Sequence, residues 1–218
     1  MTPPVVSFVG KSGSGKTTFL IKVVSELVKR GYNIGTIKHD AHSFEIDHKG
    51  KDSYRHKKAG ATVVALSSPE KFAVIKDVKE EWRPERLISL FLNDCDCVIT
   101  EGYKTGPFPK IEVLRKAHST TPVSVDDDRL LAFVTDLDMK SFGRPQFKLN
   151  DFKKVASFIE KEIIEGHKDK GVSLVVDGKV VVMKPFIENL LRDGVTGMIR
   201  TLKGCSKAKD IEIRIRRS

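Results

Sequence analysis

Hydrophobic and polar positions along the 218-residue chain change period several times, and each change marks an element. Val5-Val6-Ser7-Phe8-Val9 is short, β-branched and almost wholly apolar, as a buried parallel strand requires. Over residues 17–30 the period lengthens: Phe19, Leu20, Val23, Val24, Leu27 and Val28 recur at helical spacing. Lys29 and Arg30 fall in the last turn and Gly31 just beyond, a helix stop signal. Residues 33–37 return to strand character. Strand, helix and strand within about thirty residues make a βαβ unit, whose crossover is right-handed.

Residues 38–51 are polar and rich in His, Asp and Lys, a loop leaving the carboxyl end of the second strand. The pattern then predicts a short helix over 52–59, strands at 62–66, 72–75, 97–100, 111–114 and 130–134, and a helix over 84–92. Phe152, Val155, Phe158, Ile159 and Ile163 define an amphipathic helix over 151–164, with Asn150 or Asp151 as its N-cap. The polar run His167-Lys168-Asp169-Lys170-Gly171 separates residues 1–168 from a small basic unit at 171–218. There, Asp177-Gly178 between β-branched runs is a two-residue hairpin signal. A helix from Pro185 to about 202 and an alternating strand at 211–215 complete a ββαβ outline. Gly194 and Gly197 interrupt that helix at about 1 kcal/mol each relative to Ala, marking a packing contact, a break or a turn.

Composition narrows the class. With 39% hydrophobic and 31% charged residues the chain is globular, and no run approaches the 18 or more apolar residues of a membrane span. The start Met1-Thr2-Pro3-Pro4 has no basic region or cleavage-site pattern, and three cysteines suit a reducing compartment, so a cytoplasmic protein is expected. Cys95 and Cys97 lie two apart on an alternating run and read as buried structural thiols. The net charge of +10 is uneven: residues 171–218 hold ten Lys/Arg against five Asp/Glu. Such charge attracts nucleic acid, an anionic cofactor or an acidic partner, or simply keeps the surface soluble.

Between the first strand and helix stands Gly10-Lys11-Ser12-Gly13-Ser14-Gly15-Lys16-Thr17, which satisfies G-x-x-x-x-G-K-[ST] at every fixed position and in the required strand–loop–helix context. Glycines let the backbone approach phosphate oxygens, and successive N–H groups at a helix N-terminus form an anion nest. Ser12, Gly13, Ser14, Gly15, Lys16, Thr17 and Thr18 are therefore the candidate phosphate binders, with Lys16 on the β/γ-phosphates and the Thr17 hydroxyl on Mg²⁺. The fold expected is α/β: a P-loop NTPase with a mainly parallel sheet flanked by helices, plus the small C-terminal ββαβ appendage.

A second carboxylate should complete such a site from the end of another parallel strand. Val98-Ile99-Thr100-Glu101-Gly102 supplies one, making Glu101 the candidate metal-side acid and, with Lys16, the candidate catalytic pair. The loop after the second strand clusters Lys38, His39, His42, Lys51, Asp52 and Ser53, which with Lys104 could take a second anion, and Asp47, which could approach the metal.

In this order, Gly-Lys-Ser-Gly-Ser-Gly-Lys-Thr-Thr (10–18), Lys38-His39 with His42, Asp47, Gly-Lys-Asp-Ser (50–53), Ala-Gly-Ala (59–61), Glu-Gly-Tyr-Lys (101–104), Lys110-Ile111 and Val134-Thr135-Asp136 resemble the molybdopterin-guanine dinucleotide biosynthesis B (MobB) family over residues 5 to about 165. The resemblance implies a GTP-binding, weakly GTP-hydrolysing, usually dimeric protein. It implies a partner in the MobA-like guanylyltransferase that joins GMP to molybdopterin, or in molybdenum-cofactor enzymes. It places phosphate contacts at Gly13, Gly15, Lys16, Thr17 and Thr18, and the acidic strand-end residue at Glu101. The guanine-reading tetrapeptide Asn-Lys-x-Asp does not occur, and Thr135-Asp136 is the candidate substitute. Two other classes stand beside this one. A small-molecule kinase would use Asp40 or Asp47 to activate an acceptor but would need an Arg-rich lid, which is not evident. A nucleic-acid-binding NTPase would use the basic tail but lacks an aromatic platform, so nucleic acid is not an expected partner.

Overall fold

The apolar run at the start of the chain folds as β1 (Val5–Val9), every residue of it buried, in the middle of a six-stranded sheet. The structure, a computed structural model, describes residues 3–40, 46–167, 172, 174–176, 179–181, 183–208, 211, 213 and 215. After β1 come α1 (Lys16–Lys29), β2 (Ile34–Lys38), α2 (Asp52–Lys58), β3 (Val63–Ser67), β4 (Phe72–Lys76) and α3 (Pro84–Phe91). β5 (Cys97–Glu101), β6 (Lys110–Leu114), β7 (Leu130–Thr135), β8 (Gln146–Phe147) and α4 (Phe152–Ile159) complete the larger unit. β9 (Leu174–Val176), β10 (Lys179–Val181) and α5 (Pro185–Arg200) follow.

The main sheet runs β2-β5-β1-β6-β7-β8, and all five pairings are parallel. Strands covered on both faces are mostly apolar, and β1, β5, β6 and β7 are buried almost without interruption, β6 with Lys110 and Glu112 among its buried residues. The chain leaves β1 toward β2, returns through β5 and only then crosses to β6 on β1's other flank. The carboxyl end of β1 is thus where connections diverge to either side, the place where open α/β sheets bind ligands. One face of the sheet is closed by α1, through Phe19, Leu20, Val23 and Leu27, with α4 and its Val155, Ala156 and Ile159 beside it. The other face carries a smaller cluster of Val5, Ile37, Ile88 and Val98, with α3 supplying Ile88. Arg30 ties α1 to α4 by pairing with Glu26 at 3.0 Å and Glu160 at 2.8 Å, and the Tyr32 hydroxyl donates to Glu160 at 2.8 Å.

Several expectations are refined. The strands at 62–66 and 72–75 exist, but β3 and β4 pair only with each other, antiparallel, outside the main sheet. Val63, Leu66, Phe72 and Val74 are exposed, so this pair lacks the two-sided burial that marks the parallel strands. The helix over 151–164 is α-helical to Ile159 and then passes into a π-helical stretch, Glu160–Glu165, that keeps Ile163 buried. Its N-cap is Asp151, whose side chain turns back to accept the Lys148 amide at 3.1 Å instead of capping the helix. β8 was not visible in the hydrophobic pattern because two residues are too short to establish a period.

In the C-terminal unit β9 and β10 pair antiparallel, Val176 opposite Lys179, and α5 runs unbroken through Gly194 and Gly197. A Cβ at either glycine would have nothing within 4 Å, so neither marks a close packing contact. The Asp177-Gly178 turn lies outside the described residues, as do parts of the strand expected at 211–215. Residues 211, 213 and 215 are described and are not in a strand. Among the described residues no helix is long and apolar enough to cross a membrane.

Candidate functional site

The loop between β1 and α1 needs backbone conformations that only glycine adopts easily. Gly10, Gly13 and Gly15 have φ of 141°, 76° and 86°, and Gly15 is the N-cap of α1. The first turn of α1 therefore starts at Lys16, with its free N–H groups facing the loop. No acidic residue occupies that first turn, so the positive end of the helix dipole is left uncompensated, as an anion site requires. Lys16 Nζ donates to the Gly10 and Lys11 carbonyls at 3.2 and 2.8 Å, which places the ammonium over its own loop. Burial lowers the Lys16 pKa, the nearby Glu101 carboxylate raises it, and Lys104 lowers it again. Lys104 therefore shares the electrostatic environment of the phosphate loop. Ser14 is buried and its hydroxyl has no partner among the described residues, while Ser12 and Thr18 are exposed.

β5 lies beside β1 in register, Phe8 opposite Glu101, and this brings the carboxylate to the loop. The Thr17 hydroxyl donates to Glu101 Oε1 at 2.5 Å. A hydroxyl and a carboxylate in contact at the edge of a phosphate loop are an oxygen-only, anionic donor set. It fits Mg²⁺, which takes one or two protein oxygens and completes its shell with water and phosphate. Among the described residues no three His, Cys, Asp or Glu side chains converge as a protein cage.

The turn after β5 is shaped against the loop after β2. Lys38 stands opposite Glu101, and the His39 amide donates to the Glu101 carbonyl at 2.9 Å. Gly102 has φ of 101°, and a Cβ there would lie 2.9 Å from His39 Cβ. Tyr103 is held at φ 52°, unusual for a residue with a side chain, and its ring packs on the His39 ring at 4.7 Å between centroids. His39 also pairs with Glu81 at 3.1 Å. Of the proposed second-anion set, Lys38 and His39 thus stand next to Glu101, and Lys104 lies within electrostatic reach of Lys16. Ser53 donates to Asp47 Oδ1 at 2.9 Å, and the His48 amide donates to the same oxygen at 2.9 Å, so these residues order their own loop. Asp47 Oδ2 is buried with no partner among the described residues, a polar orphan that suits a ligand contact. Lys51 and Asp52 are exposed at the start of α2, and His42 lies outside the described residues.

Thr135 and Asp136 end β7. Thr135 is buried and its hydroxyl accepts the Leu137 amide at 3.0 Å, while Asp136 is exposed and accepts the Lys116 amide at 2.7 Å. That bond introduces residues the hydrophobic pattern left unassigned. The segment after β6, Arg115-Lys116-Ala117-His118-Ser119, lies against the phosphate loop: Lys11 Nζ donates to Ser119 Oγ at 2.8 Å, and the His118 ring sits 3.2 Å from the Cβ position of Gly13. Its sequence signal is a basic run immediately after a parallel strand. Glu112 of β6 is fully buried and accepts the amides of Val123 and Ser124 at 2.7 and 2.9 Å, fixing the far end of this loop. Burial pushes its carboxyl pKa up, against the two amides, which draw it down.

A parallel sheet with a glycine-rich loop at its switch point, a lysine and threonine opening the next helix, and an acid from the neighbouring strand together define a P-loop α/β protein. Residues 5–136 match the family model of molybdopterin guanine dinucleotide synthesis protein B. The chain is 34% identical over 165 residues to the molybdopterin-guanine dinucleotide biosynthesis adapter protein of Haemophilus influenzae, covering 75% of this chain and 92% of that one. A putative adapter protein of the same description from Methanocaldococcus jannaschii is 28% identical and is matched over 97% of both chains, appendage included. Among solved structures, a molybdopterin-guanine biosynthesis protein B superposes with a TM-score of 0.58 at 31% identity, over 71% of this chain and 95% of that one. Bacillus subtilis MobB gives 0.58 at 27%, over 73% and 98%. The chain belongs to the molybdopterin guanine dinucleotide synthesis protein B family.

Proposed function

We propose that this protein is a cytoplasmic, homodimeric adapter in molybdopterin guanine dinucleotide biosynthesis that binds GTP with Mg²⁺ and assists the guanylyltransferase that joins GMP to molybdopterin. The observation that carries the nucleotide half of this reading is the Thr17–Glu101 contact beside the Gly10–Thr17 loop. Family membership carries the pathway half. In this reading the loop amides and Lys16 hold the β- and γ-phosphates, while Thr17 and Glu101 hold the metal, which would neutralise charge on the phosphate oxygens. Glu101 accepts the Thr17 hydroxyl, which supports its place on the metal side, and with Lys16 it remains the candidate catalytic pair of a slow hydrolysis. The exposed Asp136 carboxylate at the end of β7 is the candidate reader of guanine N1–H and N2–H; its Oδ1 accepts the Lys116 amide and keeps a second lone pair.

Turnover of GTP and ATP, with and without a pterin-nucleotide transferase, tests this function. Slow GTP turnover by the chain alone is expected, and GMP transfer by the transferase should be faster with the chain than without it. Fast phosphoryl transfer from ATP to a small acceptor without the transferase would replace the adapter by a kinase. Asp136→Ala should lower the preference for GTP over ATP, and an unchanged preference would remove Asp136 from base recognition.

A further inference from the structure

The phosphate loop has a flank on each side of β1, and only the β5 flank carries a carboxylate at the loop, beside Lys38 and Lys104. On the β5 side stands Glu101; on the β6 side stands the basic segment that begins at Arg115. We propose that Arg115 is a phosphate-binding residue of this site, gripping the polyphosphate chain of the nucleotide from the β6 side, across from the metal carboxylate. The proposal rests on the GTP reading above and extends it to a residue outside the loop motif.

Three observations support it. First, Arg115 Nη1 lies 4.0 Å from the Cβ position of Gly15, at the N-terminus of α1 where the loop amides converge. Second, the guanidinium is exposed and has no hydrogen-bond or ion-pair partner among the described residues. Arg30, Arg55, Arg129 and Arg192 each hold a carboxylate, and Arg86 stacks on Trp82 with its Cζ 3.9 Å from the ring centroid. Arg83, Arg144 and Arg200 are, like Arg115, unpaired among the described residues, and Arg115 differs from them by its place at the loop. An arginine fork is a planar array of donors that matches phosphate oxygens, and this one is unspent. Third, the backbone that carries it is fixed. Asp136 holds the Lys116 amide, the Arg115 carbonyl accepts the His118 and Ser119 amides at 2.9 and 3.0 Å, and Lys11 holds Ser119. A cation delivered by a loop pinned this way pays only for ordering its own side chain, not for ordering the backbone, when it meets an anion.

The charge balance agrees. Glu101 returns a negative charge to the metal side, so a triphosphate held only by Lys16, the loop amides and one Mg²⁺ gains from a further cation on the opposite flank. The buried and unpartnered Ser14 hydroxyl inside the same loop is a second group without a protein partner among the described residues.

The test is equilibrium binding of GTP with Mg²⁺ to the full chain and to Arg115→Gln and Arg115→Lys, at low and high salt, with thermal midpoints measured without nucleotide. Loss of a charge-assisted contact predicts that Arg115→Gln weakens GTP by about tenfold or more and flattens the salt dependence, that Arg115→Lys recovers part of the loss, and that the midpoints are unchanged. GTP binding by Arg115→Gln equal to the parent chain overturns this proposal alone and leaves the GTP reading standing. Weakening equal in both variants, accompanied by a lowered midpoint, overturns it in favour of a structural role. A parent chain that binds no GTP removes the GTP reading and this proposal with it.

Discussion

Replacing Gly10 by Ala should destabilise the protein sharply, because the residue leaves β1 directly against the backbone of β6, and the two strands cannot separate. A Cβ on Gly10 would stand 2.3 Å from the Val113 carbonyl oxygen and 3.2 Å from Ser14 Oγ. Val113 belongs to β6, which is buried along its whole length, and β6 is hydrogen-bonded to β1 in fixed register, Val9 opposite Glu112. Neither strand has solvent to retreat into. The φ of 141° adds a second penalty for any residue with a side chain. Forcing an L residue into such a conformation costs about 1–3 kcal/mol, and overpacking costs about 1–3 kcal/mol more. Gly10→Ala should therefore lose about 2–6 kcal/mol, a large share of the roughly 5–15 kcal/mol that holds a domain together. Gly50→Ala separates the two contributions, since Gly50 has φ of 90° but nothing within 4 Å of its Cβ position. In urea unfolding with unchanged slope, the Gly10→Ala midpoint should fall below that of Gly50→Ala by the overpacking part. A Gly10→Ala protein as stable as Gly50→Ala would refute this account of the loop.

Two further outcomes follow from buried ionisable groups. Lys110 is fully buried and its ammonium holds Asp127 at 2.8 Å together with the Gly106 and Phe108 carbonyls. Arg129 and Lys110 keep the Asp127 carboxyl well below the usual carboxylate range, so its stabilisation is full above about pH 4 and is lost as pH falls below that. Asp127→Asn should cost about 3 kcal/mol at pH 7 by stranding the Lys110 charge, and the gap from the parent chain should narrow in urea titrations near pH 3; a gap independent of pH would count against the pairing. Burial pushes the Cys97 thiol up to about 12, so Cys97 should stay unmodified by a thiol reagent at pH 8 until the protein unfolds. Labelling of Cys97 in the folded protein at the rate of a free thiol would contradict its placement in β5.

Much of the parallel core could be read from the chain because burial on both faces leaves a simple signature. Val5–Val9 and Leu130–Thr135 are apolar almost throughout, Cys97–Ile99 is apolar up to its polar end Thr100-Glu101, and the loop glycines sit where the backbone needs positive φ. Glu101 could be placed at the site because a carboxylate ending such a strand has few other reasons to be there. The β3–β4 pair could be found but not assigned to its own sheet, since its exposed apolar residues carry no information about which partner they face. Arg115 and His118 escaped notice because a loop residue's reach depends on how the loop is tethered. The tethers here are Glu112 and Asp136, which look like ordinary strand and strand-end acids until their backbone partners, Val123, Ser124 and Lys116, are seen. The site is thus assembled from three strand ends, β1, β5 and β6, and only the first carries a motif.

Titration of GTP into the purified chain, with and without Mg²⁺, alongside Lys16→Ala and Glu101→Ala, tests the central claim most directly. The arrangement of Lys16, Thr17 and Glu101 predicts saturable GTP binding that strengthens with Mg²⁺, is lost in Lys16→Ala, and in Glu101→Ala persists without its Mg²⁺ dependence. GTP binding that is absent in the parent chain, or that survives Lys16→Ala unchanged, would contradict it.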